Sequence, residues 1–178
     1  MDLHPATDLG ALYRELQPGL LRYLRTVAPG PAEDLAADVW AEVAASAIRF
    51  QGDEAAFRGW LYTIARRRVI DGQRRAARRR TDPVSDDRMA DISGGDRHPD
   101  ELALDRLATE AAIAHVRAVL SHDQAHVVLL RVVGGLRVSQ VAEMLGKRPG
   151  TVRVLQHRGL RRLADSTLAE PEMPRRAS

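Results

Sequence analysis

Apolar residues recur along much of this chain at intervals of three and four, the period that gives a helix one buried stripe. In the first part Leu9, Leu12, Leu16, Leu20, Leu24 and Val27 keep that spacing, although Pro18 and Gly19 predict a bend or a division there. Pro31 predicts the opening of a second helix, with Glu33 and Asp34 in its first turn, where acids complement the helix dipole. Leu35, Val39, Val43 and Ala47 then face inward, which leaves Glu33, Asp34, Asp38 and Glu42 as an acidic outer surface. After the turn Gln51-Gly52-Asp53 a third helix is expected from about Glu54, packing through Phe57, Trp60, Leu61, Ile64 and Ala65 before it becomes strongly basic. Of its aromatic residues, Trp60 reads more readily as a core anchor than as a base-stacking platform, whereas Tyr62, like Trp40, fits either place. Almost nothing in this part alternates with the period of a strand.

Toward the other end the pattern shortens. Val138, Val141, Ala142 and Leu145 form the stripe of a small helix, Gly146-Lys147-Arg148 breaks it, and Pro149 suits the first position of the next. In that second helix Val152, Leu155, Leu160 and Leu163 are expected inside, with Arg153, Gln156, His157 and Arg161 outside. This is the layout of a helix-turn-helix, whose second helix lies in a major groove of DNA, where long donor-bearing side chains reach base edges and phosphates. A plain helical hairpin with a solvated arginine face is the competing interpretation.

Charge changes the picture by its distribution. The 178 residues carry a formal charge of only +3, with 26 Arg and a single Lys. Residues 66 to 80 nevertheless hold eight Arg against one Asp, and residues 81 to 101 hold seven acids against two Arg. The arginine run can hold many phosphates, and Asp71 within it is expected to serve as an internal salt-bridge partner. The acidic run, rich in breakers, predicts a flexible linker over 81–100, dividing a helical domain at 8–80 from a second at 101–168 whose helix-turn-helix spans 138–163. The fold class is therefore all-α, two small helical domains joined by a linker, with a frayed tail after Pro171.

The chain has no cysteine, which removes disulfides, thiolate ligands and cysteine nucleophiles. It shows no apolar span of about 20 residues and no secretion-type leader, so a soluble cytoplasmic protein without membrane insertion is expected. A glycine-rich phosphate loop is missing too. His122 and His126 stand four apart, but no third ligand is near in sequence, and packing or surface roles outweigh zinc. Neither a metal, a cofactor nor a catalytic residue is expected.

Together the two halves resemble the extracytoplasmic-function (ECF) type of bacterial RNA polymerase sigma factor, of the sigma-70 family. Phe57-Arg-Gly-Trp-Leu-Tyr-Thr-Ile-Ala-Arg-Arg-Arg-Val-Ile-Asp-Gly-Gln-Arg-Arg75 is similar to the signature helix of region 2, which engages the −10 promoter element. The stretch from Ala32 to Val43 resembles the adjoining helix that docks on core polymerase, and that from Asp123 to Gly146 resembles region 4, whose following helix reads the −35 element. The resemblance implies a specificity subunit rather than an enzyme, partnered by core RNA polymerase, promoter DNA and an anti-sigma factor. For the opened −10 strand it implies Phe50, Gln51, Gly52, Asp53, Arg58, Tyr62, Arg66, Arg67, Arg74 and Arg75. The −35 duplex falls to Arg137, Ser139, Thr151, Arg153, Gln156, His157 and Arg161, and core docking to Asp34, Asp38 and Glu42. Two departures bear on the −35 sequence: Lys147-Arg148-Pro149 supplies no side-chain cap, and Leu155-Gln156 stands where many relatives have a basic residue followed by an apolar one. A conventional helix-turn-helix regulator acting on duplex DNA without polymerase is the alternative.

Overall fold

The computed structural model describes residues 5–28, 30–79 and 99–169, and nearly all of the expected linker and the tail lie outside them. The described residues form seven α-helices: α1 Pro5–Val27, α2 Ala32–Ser46, α3 Glu54–Arg79, α4 Pro99–Val119, α5 His122–Val132, α6 Val138–Leu145 and α7 Pro149–Ala169. One 3₁₀ turn, Ala47–Arg49, joins α2 to the loop before α3, and no strand occurs among these residues. The fold is all-helical, with a region-2-like unit of α1–α3 and a second unit containing the helix-turn-helix α6–α7.

α1 is not divided at Pro18 but runs unbroken through it. A proline inside a helix costs about 3 kcal/mol. Here Leu12, Leu16, Leu20, Tyr23, Leu24 and Val27 are all buried on one face, and each contributes about 1.5–3 kcal/mol when fully withdrawn from water. Packing wins. The stripe of α2 is buried as the spacing predicts, at Leu35, Val39 and Val43, and Trp40 joins it, its indole Nε1 donating to Gln17 Oε1 at 2.6 Å.

α5 starts with a capping box: the Gln124 amide donates to Ser121 Oγ at 3.4 Å, and the Ser121 amide to Gln124 Oε1 at 3.1 Å. Gly146 closes α6 in the left-handed conformation at φ 62°. On α7, Val152 is buried but Leu160 is 40% exposed, contrary to its expected place in the core. At 100° per residue, position 159 returns within about 20° of position 152, whereas 160 lies about 80° away. The inward position is thus Gly159, where a Cβ would stand 2.8 Å from Val128 Cγ2, so the Val128 side chain of α5 packs directly on the α7 backbone.

One apolar core runs through both units. Leu20, Tyr23, Phe57 and Leu61 belong to the same buried cluster as Val127, Leu130, Leu136, Val141 and Val152.

Candidate nucleic-acid interface

Two surfaces of different character emerge, one around α3 and the other on α7. The loop before α3 is held by Asp53, whose Oδ1 accepts from the Ala56 amide at 2.8 Å, a helix N-cap. Phe50 then lies against two aromatic residues of α3: edge-on to Phe57 at 5.4 Å and stacked on Trp60 at 5.1 Å with 27° between the planes. Phe57 is fully buried, but Phe50 and Trp60 are only partly so. Trp60 packs against the core, as expected, and its partly exposed side also walls an open cavity. That cavity, of about 280 Å³, is lined by Ser46, Arg49, Phe50, Gln51 and Trp60.

Of the residues expected on the −10 surface, Gln51 and Asp53 are exposed and Gly52 and Phe50 partly so. Tyr62 is not there. It is 1% exposed, meets Tyr23 edge-on at 5.5 Å, and burial pushes its hydroxyl up to about 12. Arg58 bonds Glu54 at 2.6 Å and also Glu15; although burial opposes its charge, these carboxylates hold the guanidinium above its ordinary value. Arg67 bonds Glu42, and Arg68 reaches the same carboxylate at 2.8 Å and Asp38 at 3.8 Å. Burial works against the charge of Glu42, yet the two guanidinium groups outweigh it and hold the carboxyl below the usual range. Arg74 and Arg75 are exposed, Arg74 lying 3.9 Å from Asp71 and Arg75 Nε donating to the Asp71 carbonyl at 3.3 Å. The arginine run thus splits into members occupied by acids of the same fold and members turned outward. Sequence periodicity does not distinguish them, because the acids that occupy Arg67 and Arg68 come from α2.

The acidic face of α2 divides in the same way. Asp34 is exposed, and Asp38 is exposed but within reach of Arg68, while Glu42 points toward α3.

On α7, Thr151, Arg153, His157 and Arg161 are exposed along the outer side, and Arg137 and Ser139 are exposed at the start of α6. Gln156 is partly buried. Its Oε1 accepts from Arg131 Nε at 3.1 Å, and Arg131 also bonds the Leu136 carbonyl. Arg131 ties the loop before α6 to the reading helix, a role no motif in the sequence announces. Among the described residues no group of three or more His, Asp or Glu side chains is placed to hold a metal ion. No described helix is long and apolar enough to cross a membrane.

A helix-turn-helix whose second helix exposes a basic face, carried beside an aromatic-walled cavity and an arginine-lined cleft, has the character of a DNA-reading protein of two surfaces. Residues 12–79 match the family model of sigma-70 region 2, and residues 111–163 that of sigma-70 region 4. The chain is 36% identical over 161 residues to the ECF RNA polymerase sigma factor ShbA of Streptomyces griseus, covering 85% of this chain and 83% of ShbA. To the ECF RNA polymerase sigma factor BldN of Streptomyces coelicolor it is 32% identical over 161 residues, covering 89% of this chain and 60% of BldN. The fold also resembles the sigma factor RpoE solved with the anti-sigma factor NepR from Bartonella quintana, with a TM-score of 0.65, 19% identity, and coverage of 92% of this chain and 99% of that one. The chain belongs to the ECF group of the sigma-70 family of RNA polymerase sigma factors.

Proposed function

We propose that this chain binds core RNA polymerase and directs it to promoters by dividing the reading between its two surfaces. The observation that carries this is the pairing, in one chain of this family, of an open aromatic-walled cavity at Phe50 and Trp60 with an exposed basic face on α7. Unstacked bases need an aromatic platform and a nearby positive surface, which the loop 50–53, Trp60, Arg66, Arg74 and Arg75 supply for the −10 strand. A duplex needs a helix in its major groove, and α7 offers Arg153, His157 and Arg161 there, with Arg137, Ser139 and Thr151 beside the backbone. Gln156 acts with them through the amide nitrogen that its bond to Arg131 leaves free. Asp34 and Asp38 face a basic surface of core polymerase, and Glu42 supports them while paired to α3. Nucleotide addition belongs to the polymerase, so the chain is a specificity subunit and not an enzyme.

An anti-sigma factor is the further partner this reading assigns, by likeness to RpoE, which was solved with one. The site of action is the cytoplasm, where polymerase and promoters are. The test is run-off transcription on a pool of genomic promoters, comparing core alone, the chain alone and both. Specific starts are expected only from the combination. Tight operator binding by the chain alone, with no specific start from the combination, would instead identify a conventional duplex-binding regulator.

A further inference from the structure

We infer that Arg49 is a base-selecting residue, and that the cavity it lines takes a −10 base carrying two adjacent hydrogen-bond acceptors, guanine or cytosine. The inference rests on the −10 reading above and adds to it a residue and a preference.

Three observations meet at this position. First, the cavity between the 3₁₀ turn and α3 has one apolar wall, the stacked pair Phe50 and Trp60, and three polar residues around it, Ser46, Arg49 and Gln51. An aromatic wall accepts any base, because every base has a π-face, so choice must come from the polar residues at its edge. Second, Arg49 is exposed and makes no hydrogen bond or ion pair among the described residues, while nearby Arg58 is bonded to Glu15 and Glu54, and Arg67 and Arg68 to Glu42. The fold neutralises those three and leaves Arg49 with all its donors free. Third, Arg49 ends the 3₁₀ turn Ala47–Arg49, immediately before Phe50 becomes extended at ψ 133°, so the residue next to the stacking ring also lines the cavity and can bring its guanidinium to the edge of a base held there.

The chemistry of the fork then selects among bases. Two parallel N–H donors need two neighbouring acceptors on one edge. Guanine offers O6 and N7, and cytosine, once unpaired, offers O2 and N3. Adenine sets a donor beside an acceptor on the corresponding edges, and thymine places its N3–H between two carbonyls, so each leaves one guanidinium donor without a partner. A lysine keeps the charge and loses the fork.

The experiment uses holoenzyme, core polymerase with the full chain, and a single-stranded −10 pool randomised at six positions and sequenced after selection. Parent holoenzyme is expected to enrich guanine or cytosine over adenine and thymine about tenfold or more at one position. Arg49→Ala and Arg49→Lys should both erase that preference, leave the other positions as they were, and retain the parent's thermal unfolding, since Arg49 is on the surface. If both variants keep the preference, or if Arg49→Ala weakens every sequence equally while Arg49→Lys restores the parent's behaviour, Arg49 is a phosphate contact and the inference fails while the −10 reading stands. A parent that selects no base at any position overturns the −10 reading, and the role of Arg49 with it.

Discussion

His126 shows how a single side chain is set by what surrounds it. It is 5% exposed on α5, with Nδ1 3.1 Å from the Tyr23 hydroxyl of α1 and Nε2 3.3 Å from His122 Nε2. Burial, then the charges of His122 and of Arg66 from α3, push its imidazole down to about 4, with Asp123 pulling the other way. The unfolded chain binds this proton near pH 6.5, the folded chain only near 4. Between those values the unfolded state holds more protons, so stability falls as pH falls, and the contribution is complete only above about pH 6.5. The full shift corresponds to about 3 kcal/mol. Urea midpoints should therefore drop between pH 7 and pH 5. In His126→Gln that slope should flatten, whatever the variant's stability at pH 7. The carboxylates Glu33, Glu42 and Asp123, whose pKa values are lowered, release their share at lower pH and leave this window clear. Equal slopes in parent and variant would mean that His126 is not the group being titrated.

At the scale of elements, the same substitution should have opposite signs in two helices. Gly72 in α3 has nothing within 4 Å of where a Cβ would stand, so Gly72→Ala should stabilise the protein by about 0.5–1 kcal/mol, the usual cost of glycine in a helix. Gly159 in α7 meets Val128 at 2.8 Å, and a branched valine has little room to turn, so Gly159→Ala should destabilise by about 1–3 kcal/mol through overpacking. Chemical denaturation of both variants at one pH checks the pair, and a gain at Gly159 would show that α5 and α7 are not in close contact in solution. The helices themselves were legible from spacing, because a period of three and four is a local property. Three details were not. α1 passes Pro18 because burial on α2 and α3 outweighs a local penalty. Leu160 lost the inward place to Gly159 because the Val128 side chain of α5, invisible in the pattern, fills the space that an inward side chain would take. Tyr62, which the pattern left open between core and surface, is buried because Tyr23 of α1, distant in sequence, covers its ring. Among the site residues the motif identified the arginine run, but only tertiary contacts reveal that Glu42 occupies Arg67 and Arg68.

At the scale of the molecule, the described structure holds α6 against α3. The Gln140 amide donates to the Ala55 carbonyl at 3.0 Å, and Gln140 Nε2 lies 2.7 Å from where a Cβ on Gly59 would stand, so a larger residue there would displace the amide. Between the two helices remains a cleft of about 530 Å³ lined by Arg66, Arg67, Arg74, Gln140 and Glu143 among others, so part of the proposed −10 surface faces the helix-turn-helix unit. A packed chain of this length is roughly 40 Å across. The −10 and −35 elements are about two and a half helical turns apart, roughly 80–90 Å at 34–36 Å per turn. If the two surfaces read the two elements as proposed, both cannot reach them while Gln140 stays on Ala55, and promoter binding is expected to separate α6 from α3. Because the chain has no cysteine of its own, Ala45→Cys on α2 and Ala164→Cys on α7, both exposed, can carry a donor and an acceptor dye. Energy transfer should be high in the free protein and fall steeply in the promoter-bound holoenzyme. Gln140→Ala, which deletes the bond to Ala55, should lower the transfer already in the free protein. If transfer is as strong on promoter DNA as in solution, the two elements are not being read at once by one chain in the way the fold demands.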